Sequence, residues 1–234
     1  MENKIKFQSE AYKEKVSFVK EFLEHNFQKS IFEFINENEW EEDANLCVNL
    51  LEDNLTSSDL DYTNEKLNLS HLKDRRTPQE YGCDLILGWI VEDGILKILT
   101  EKLNLKCNLS SADKGRKILK KPKSTADLKI ENQDGQPIFV ELVKDYNGYW
   151  LKNGTIELRD NKYLNLKKEN GTLLGIDFKN GKFFVLPINE TEATYIKFHR
   201  PYHKPAYSLS LNETRFHDQK EMKPVLIEYF NRLG

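Results

Sequence analysis

Two carboxylates lie inside apolar, strand-like sequence. Asp127 sits between Ala126 and Leu128 in residues 125–131 (TADLKIE), and Glu141 between Val140 and Leu142 in residues 137–146 (PIFVELVKDY). An ionised group embedded in apolar strand sequence needs a strong partner, such as a metal ion or a base. The connecting residues carry Asp134-Gly135, a hairpin signal, so the two runs are expected to pair. A hairpin would let both carboxylates share one divalent cation. Mg²⁺ suits such a site, taking one or two carboxylates together with water and phosphate oxygens, with Mn²⁺ as the expected substitute. Such an ion activates water and neutralises charge on a phosphate under attack. A nearby Lys would orient the water or stabilise the transition state. The competing reading makes Asp127 a solvent-facing edge residue and Glu141 the ion-pair partner of a structural Lys.

The surrounding elements must hold this pair. Thr77-Pro78, with Glu80 three residues after the Thr, reads as a capping box that opens a helix. Leu85, Trp89, Ile90, Ile95, Leu96, Leu99 and Leu103 continue it to about residue 104, across Gly88 and Gly94. Residues 105–109 predict a strand ahead of the two acid-bearing ones. Residues 156–169 predict a helix ended by Asn170-Gly171, and residues 172–178 and 182–188 predict strands turned at Asn180-Gly181. From residue 78 the order is helix, three strands, helix, two strands.

These residues resemble the PD-(D/E)XK nuclease superfamily, whose signature is an Asp on one strand and an acid followed closely by Lys on the next. Here it reads Thr125-Ala126-Asp127, then Glu141-Leu142-Val143-Lys144. The superfamily core is helix, three strands, helix, strand, and the resemblance spans roughly residues 78–190. It implies a restriction-endonuclease-like α/β (α+β) core, a central mixed β-sheet flanked by helices. It further implies Asp127, Glu141 and the backbone carbonyl of Leu142 as metal ligands, assisted by Glu92 on the first helix, and Lys144 as the catalytic lysine. Glu92 otherwise reads as a solvated helix position. Size and the extra helical segment look most like a type II restriction endonuclease, which implies double-stranded DNA as substrate. A homodimer is expected if the sites cut are palindromic. A structure-selective repair, junction or toxin nuclease of the same superfamily, or an inactive nucleic-acid-binding protein, are the competing readings.

The pattern departs from the family in one place. Lys is expected two residues after the acid, where Val143 stands. Side chains alternate along a strand, so a regular strand would send Glu141 and Lys144 to opposite faces. A β-bulge at residues 142–143 would reunite them. Otherwise the role falls to Lys129, on the face of Asp127, or to Lys162 on the following helix.

The chain has 234 residues, 31% of them charged, and a net charge of -3. That charge is unevenly spread. Residues 1–72 hold seven Lys and no Arg against sixteen acids, and the excess of base lies in residues 73–234. Residues 1–72 therefore read as an acidic helical subdomain, with residues 53–72 as loop or linker. Residues 73–234 read as the nuclease core with a C-terminal aromatic and basic extension. Lys114, Arg116, Lys117, Lys120, Lys121 and Lys123 precede Asp127 and are expected to meet backbone phosphates, unless they form an ordinary solvated face. Residues 194–207 interleave Tyr195, Phe198, Tyr202 and Tyr207 with Lys197, Arg200, His203 and Lys204, either to contact nucleic acid or to pack their rings inward.

Several function classes find no support. No apolar run approaches a membrane span, and no GxxxxGK[ST] loop implies ATP. The three cysteines, Cys47, Cys83 and Cys107, form no CxxC pair and read as free thiols. Pro201 argues against a helical metal site at His199 and His203. The first residues lack a signal-peptide pattern, so the cytoplasm is the expected compartment.

Overall fold

In the computed structural model, which describes residues 10–40, 44–67, 76–102, 104–110, 116, 125–131, 135–201 and 203–232, the chain divides into two units. One is Met1–Gly94 with Asp113–Pro122, and the other is Ile95–Ala112 with Lys123–Gly234. The fold is mixed α and β, with a central mixed sheet and flanking helices. No described helix is long and apolar enough to cross a membrane.

The described elements of the first unit are helices: α1 (Glu10–Phe27), α2 (Ile31–Glu37), α3 (Ala44–Leu51), α4 (Ser57–Leu67) and α5 (Pro78–Lys97) as far as Gly94. On α1, Tyr12, Val16, Val19 and Leu23 recur at helical spacing and are all buried. The capping box expected at Thr77 forms: the Glu80 amide donates to Thr77 Oγ1 at 3.2 Å and the Thr77 amide to Glu80 Oε2 at 2.8 Å. Gly94 has a packing reason, because a Cβ there would stand 2.7 Å from Phe22 Cε1. Residues 53–72 are not simply linker, since α4 occupies most of them. Its start is stabilised by Thr56, whose amide donates to Asp59 Oδ2 at 3.0 Å while Oγ1 accepts from the Asp59 amide at 3.2 Å. Cap-forming polar residues made that stretch look like loop.

The second unit holds β1 (Lys106–Leu109), β2 (Leu128–Glu131), β3 (Pro137–Asp145), α6 (Tyr149–Asn153), β4 (Thr155–Arg159) and α7 (Asp160–Lys168). It continues through β5 (Thr172–Asp177), β6 (Lys182–Pro187), β7 (Ala193–His199), β8 (Lys204–Ser210), β9 (His217–Asp218) and α8 (Met222–Arg232). The central sheet has the order β1-β2-β3-β5-β6-β9, and a smaller one the order β4-β8-β7. Strands β2 and β3 form the expected antiparallel hairpin. Strands β3 and β5 run parallel, so the chain must cross over between them. That crossover carries α7 onto one face of the central sheet, where Tyr163 and Leu166 join Leu173, Phe184 and Leu186 in a core shared with Ile156, Leu158 and Leu209 of the smaller sheet. On the opposite face Tyr229 of α8 hydrogen-bonds Thr172 at 3.1 Å.

The order read from sequence needs correction inside the crossover. Residues 156–159 form strand β4 rather than the start of a helix, and α6 precedes it. Ile156 and Leu158 are buried while Arg159 is exposed, an alternation of period two that pays off only against β8, some fifty residues later. The C-terminal extension is likewise ordered, as β7, β8, β9 and α8.

Candidate active site

Asp127 stands one residue before β2, whose pairing with β3 runs Glu131↔Pro137, Ile130↔Ile138, Lys129↔Phe139 and Leu128↔Val140. Continuing that register sets Asp127 beside Glu141, on the same face of the sheet. The Leu142 amide donates to Asp127 Oδ2 at 2.9 Å, and the Ser110 amide donates to the Asp127 backbone carbonyl at 2.8 Å. Backbone and side chain of Asp127 are therefore both held. The N–H and C=O of one strand residue leave on the same side. The Leu142 carbonyl thus also faces the Asp127 edge, beyond the last rung of the hairpin.

Glu141 is 4% exposed. Burial, and then the nearby Asp127 carboxylate, push its pKa up to about 8, against the pull of Lys162 and Lys144. Its direct partner is Lys162, which hydrogen-bonds Glu141 Oε1. Burial works against the Lys162 charge, but Glu141 and Asp127 outweigh it and hold the ammonium above the usual lysine range. Glu141 and Lys162 line a cavity of about 190 Å³, together with Ser110, Thr125 and Asn165. Lys162 is four-fifths buried on its side chain, and it reaches Glu141 because α7 packs on the face of β3 that carries Glu141.

Lys144 lies elsewhere. Its pairing with β5 runs without a break from Val140↔Thr172 to Asp145↔Asp177, so no bulge interrupts residues 142–143. Regular alternation then sends Lys144 to the face opposite Glu141. Of the alternatives, Lys129 shares the carboxylate face but stands opposite Phe139, while Lys162 contacts Glu141 itself.

The structure corrects two further expectations. Glu92 belongs to the first unit, and Arg116 Nη1 hydrogen-bonds its Oε2 at 2.9 Å. It is buried rather than solvated, and its carboxylate is engaged by a guanidinium. Arg116, expected at phosphates, is only 4% exposed. It also binds Asp93, with Nε 3.1 Å from Oδ1, and Asp93 Oδ2 accepts from Trp40 Nε1 at 2.8 Å. Two carboxylates satisfy its charge inside the unit, which removes it from any surface. Lys114, Lys117, Lys120, Lys121 and Lys123 lie outside the described residues, as does Tyr202. Lys197, Arg200, His203 and Lys204 are exposed on the β7–β8 hairpin.

Sequence reasoning missed a second buried acidic pair on the Glu141 face. Asp145 and Asp177 are register partners at the ends of β3 and β5. Asp145 accepts from the amides of Asn147 at 2.8 Å and Trp150 at 2.9 Å, and Asp177 accepts from the amide of Asn180 at 3.1 Å and its Nδ2 at 2.8 Å. Both are consumed in shaping the turns that follow.

The donor set at Asp127, Glu141 and the Leu142 carbonyl is all oxygen, which fits a hard cation that completes its shell with water and phosphate. Among the described residues no group of three or more His, Cys, Asp or Glu side chains comes together. No protein-family model matches this sequence, and neither does any curated protein at a significant level.

Proposed function

We propose that this protein is a Mg²⁺-dependent nuclease with a restriction-endonuclease-like core, in which Asp127 and Glu141 hold the ion and Lys162 serves as the catalytic lysine. The observation that carries the reading is the hydrogen bond from the Lys162 ammonium to Glu141 Oε1 beside Asp127, in a cavity on one face of the hairpin. When bound, the ion supplies an activated water and neutralises charge on the scissile phosphate. Asp127, anchored by the Leu142 amide, presents its remaining carboxylate oxygen. Glu141 would give up its proton on taking on the cation. The Lys162 ammonium orients the attacking water and stabilises the negative charge that grows on phosphate oxygens. Water oxygen bonds to phosphorus and releases a proton to solvent, the bond to the leaving oxygen breaks, and that oxygen takes up a proton from solvent.

Long duplex DNA incubated with Mg²⁺ and mapped at its ends tests this reading. Asp127→Ala should abolish cutting while the fold and DNA binding persist. Undiminished metal-dependent cutting by that variant would sink the assignment. Discrete fragments would support a sequence-specific type II enzyme, for which a two-fold dimer is expected on palindromic sites. Cutting confined to branched or partly unpaired DNA would support a structure-selective enzyme, a second reading favoured by the exposed rings of Tyr195 and Phe198.

A further inference from the structure

The β7–β8 hairpin presents aromatic rings to solvent. Tyr195 is 54% and Phe198 60% exposed. The pairing of β7 with β8 shifts register between Ile196 and His199, because one extra residue is inserted on β7. Such an irregularity re-aims side chains, and here Lys197 and Phe198, adjacent in sequence, are both exposed. Phe198 meets the ring of His203 edge-on at 6.0 Å. Lys197, Arg200 and Lys204 are exposed on the same hairpin and form no ion pair among the described residues. No acid occurs between Glu192 and Glu213.

Tyr195 is tied to the helix that carries Lys162. Tyr195 packs against Tyr207 at 5.3 Å, and Tyr207 stacks on Tyr163 of α7 at 4.0 Å and 24°. Tyr163 is itself braced by the Lys167 ammonium 3.3 Å from its hydroxyl. Consecutive residues of α7 thus serve two ends, with Lys162 turned into the cavity and Tyr163 into the aromatic row.

A polyanion explains the uncompensated cations, and a π face explains the rings. A duplex offers phosphates and base edges, which Arg, Lys, Asn and Gln read best. Its base faces are already stacked on one another and closed to a tyrosine or phenylalanine. Unpaired bases offer free faces, and stacking on aromatic side chains is how strands are held without regard to sequence. We propose that the β7–β8 hairpin is a stacking platform for unpaired nucleobases, with Tyr195 and Phe198 holding bases and Lys197, Arg200 and Lys204 the backbone. The substrate class is then nucleic acid with unpaired bases near the scissile phosphate. The choice of nucleic acid rests on the nuclease reading.

The test is equilibrium binding of the full-length chain to fluorescein-labelled dT20 and to a 20-bp duplex, in EDTA so that no cutting intervenes. The platform predicts tighter binding to dT20 than to the duplex. Tyr195→Ala and Phe198→Ala should each weaken dT20 binding by at least about fivefold, the low end of the stacking contribution. Lys197→Ala with Lys204→Ala should instead reduce the salt dependence of binding. Tyr195→Trp should keep affinity and show indole fluorescence quenched on addition of dT20, a signal that a purely structural role would not produce and that stands even if an alanine variant misfolds. Preference for the duplex, no binding to either probe, or a Tyr195→Trp protein that binds dT20 without quenching would each overturn the platform. Because no metal is present, binding without any Mg²⁺-dependent cutting would remove the nuclease reading and leave the platform standing. Cutting with unquenched Tyr195→Trp would do the reverse.

Discussion

Lys162 on α7 pairs with Glu141 on β3 across twenty-one positions of sequence, whereas Lys144, three residues along the same strand, lies on the other face of the sheet. The nearer lysine in sequence is thus excluded by the pleat, and the distant one is delivered by a helix crossing over that face.

Exchange of roles between these lysines is directly measurable. Lys162→Ala should lower single-turnover cleavage by about 10²- to 10³-fold, the loss typical of removing one transition-state charge stabiliser. Lys144→Ala should change it by less than about threefold, because its influence on Glu141 is only a field through the sheet. Equal losses in the two variants would contradict the assignment of Lys162.

If Asp127 and Glu141 hold Mg²⁺ as proposed, the Glu141 proton links that binding to pH. Metal requires the ionised carboxylate, so Mg²⁺ affinity should fall about tenfold for each pH unit below the Glu141 pKa of about 8. Calorimetric titration in two buffers of different ionisation enthalpy would report one proton released. In Glu141→Gln that release and its pH dependence should vanish.

The same proton acts on folding. Glu141 holds it more tightly in the folded chain, at about 8, than at the ordinary 4.5 expected when unfolded. Its favourable contribution is complete below the unfolded value and is lost as pH rises through the folded one. Metal-free protein should therefore lose thermal stability between about pH 5 and 8, and Glu141→Gln should flatten that slope. Saturating Mg²⁺ should offset the loss, since it binds the ionised form of the native state.

Arg116 is a structural cation of the first unit. Removing one partner of a buried ion pair leaves an uncompensated charge, so Arg116→Ala should cost about 3–5 kcal/mol in urea denaturation. The salt dependence of DNA binding, in contrast, should not change.

Gly94→Ala tests packing against propensity. Alanine gains about 1 kcal/mol within a helix, but its methyl would crowd the buried Phe22 ring at 2.7 Å. Overpacking of that kind costs about 1–3 kcal/mol, and the Phe22 ring is buried. Net destabilisation in thermal unfolding is the expected outcome.

The local features were legible in the sequence because they depend on neighbouring residues alone. The Thr77–Glu80 capping box, the β2–β3 hairpin about Gly135, and the placing of Asp127 and Glu141 on paired runs all follow from turn chemistry and two-residue alternation. Even the displacement of Lys144 could be read, and Lys162 was one of the alternatives it left open. Which of them stands beside Glu141 is decided by tertiary structure alone, because strand regularity at residues 142–143 is set by pairing with β5, and the approach of Lys162 by the packing of α7. The same holds for β4, which is a strand only because β8 returns to it, and for Arg116, whose position in a basic run suggested phosphate while Glu92 and Asp93 claimed it. Spacing along the chain specifies which residues can share a face. Which face is covered, and by whose side chain, depends on contacts between residues far apart in sequence.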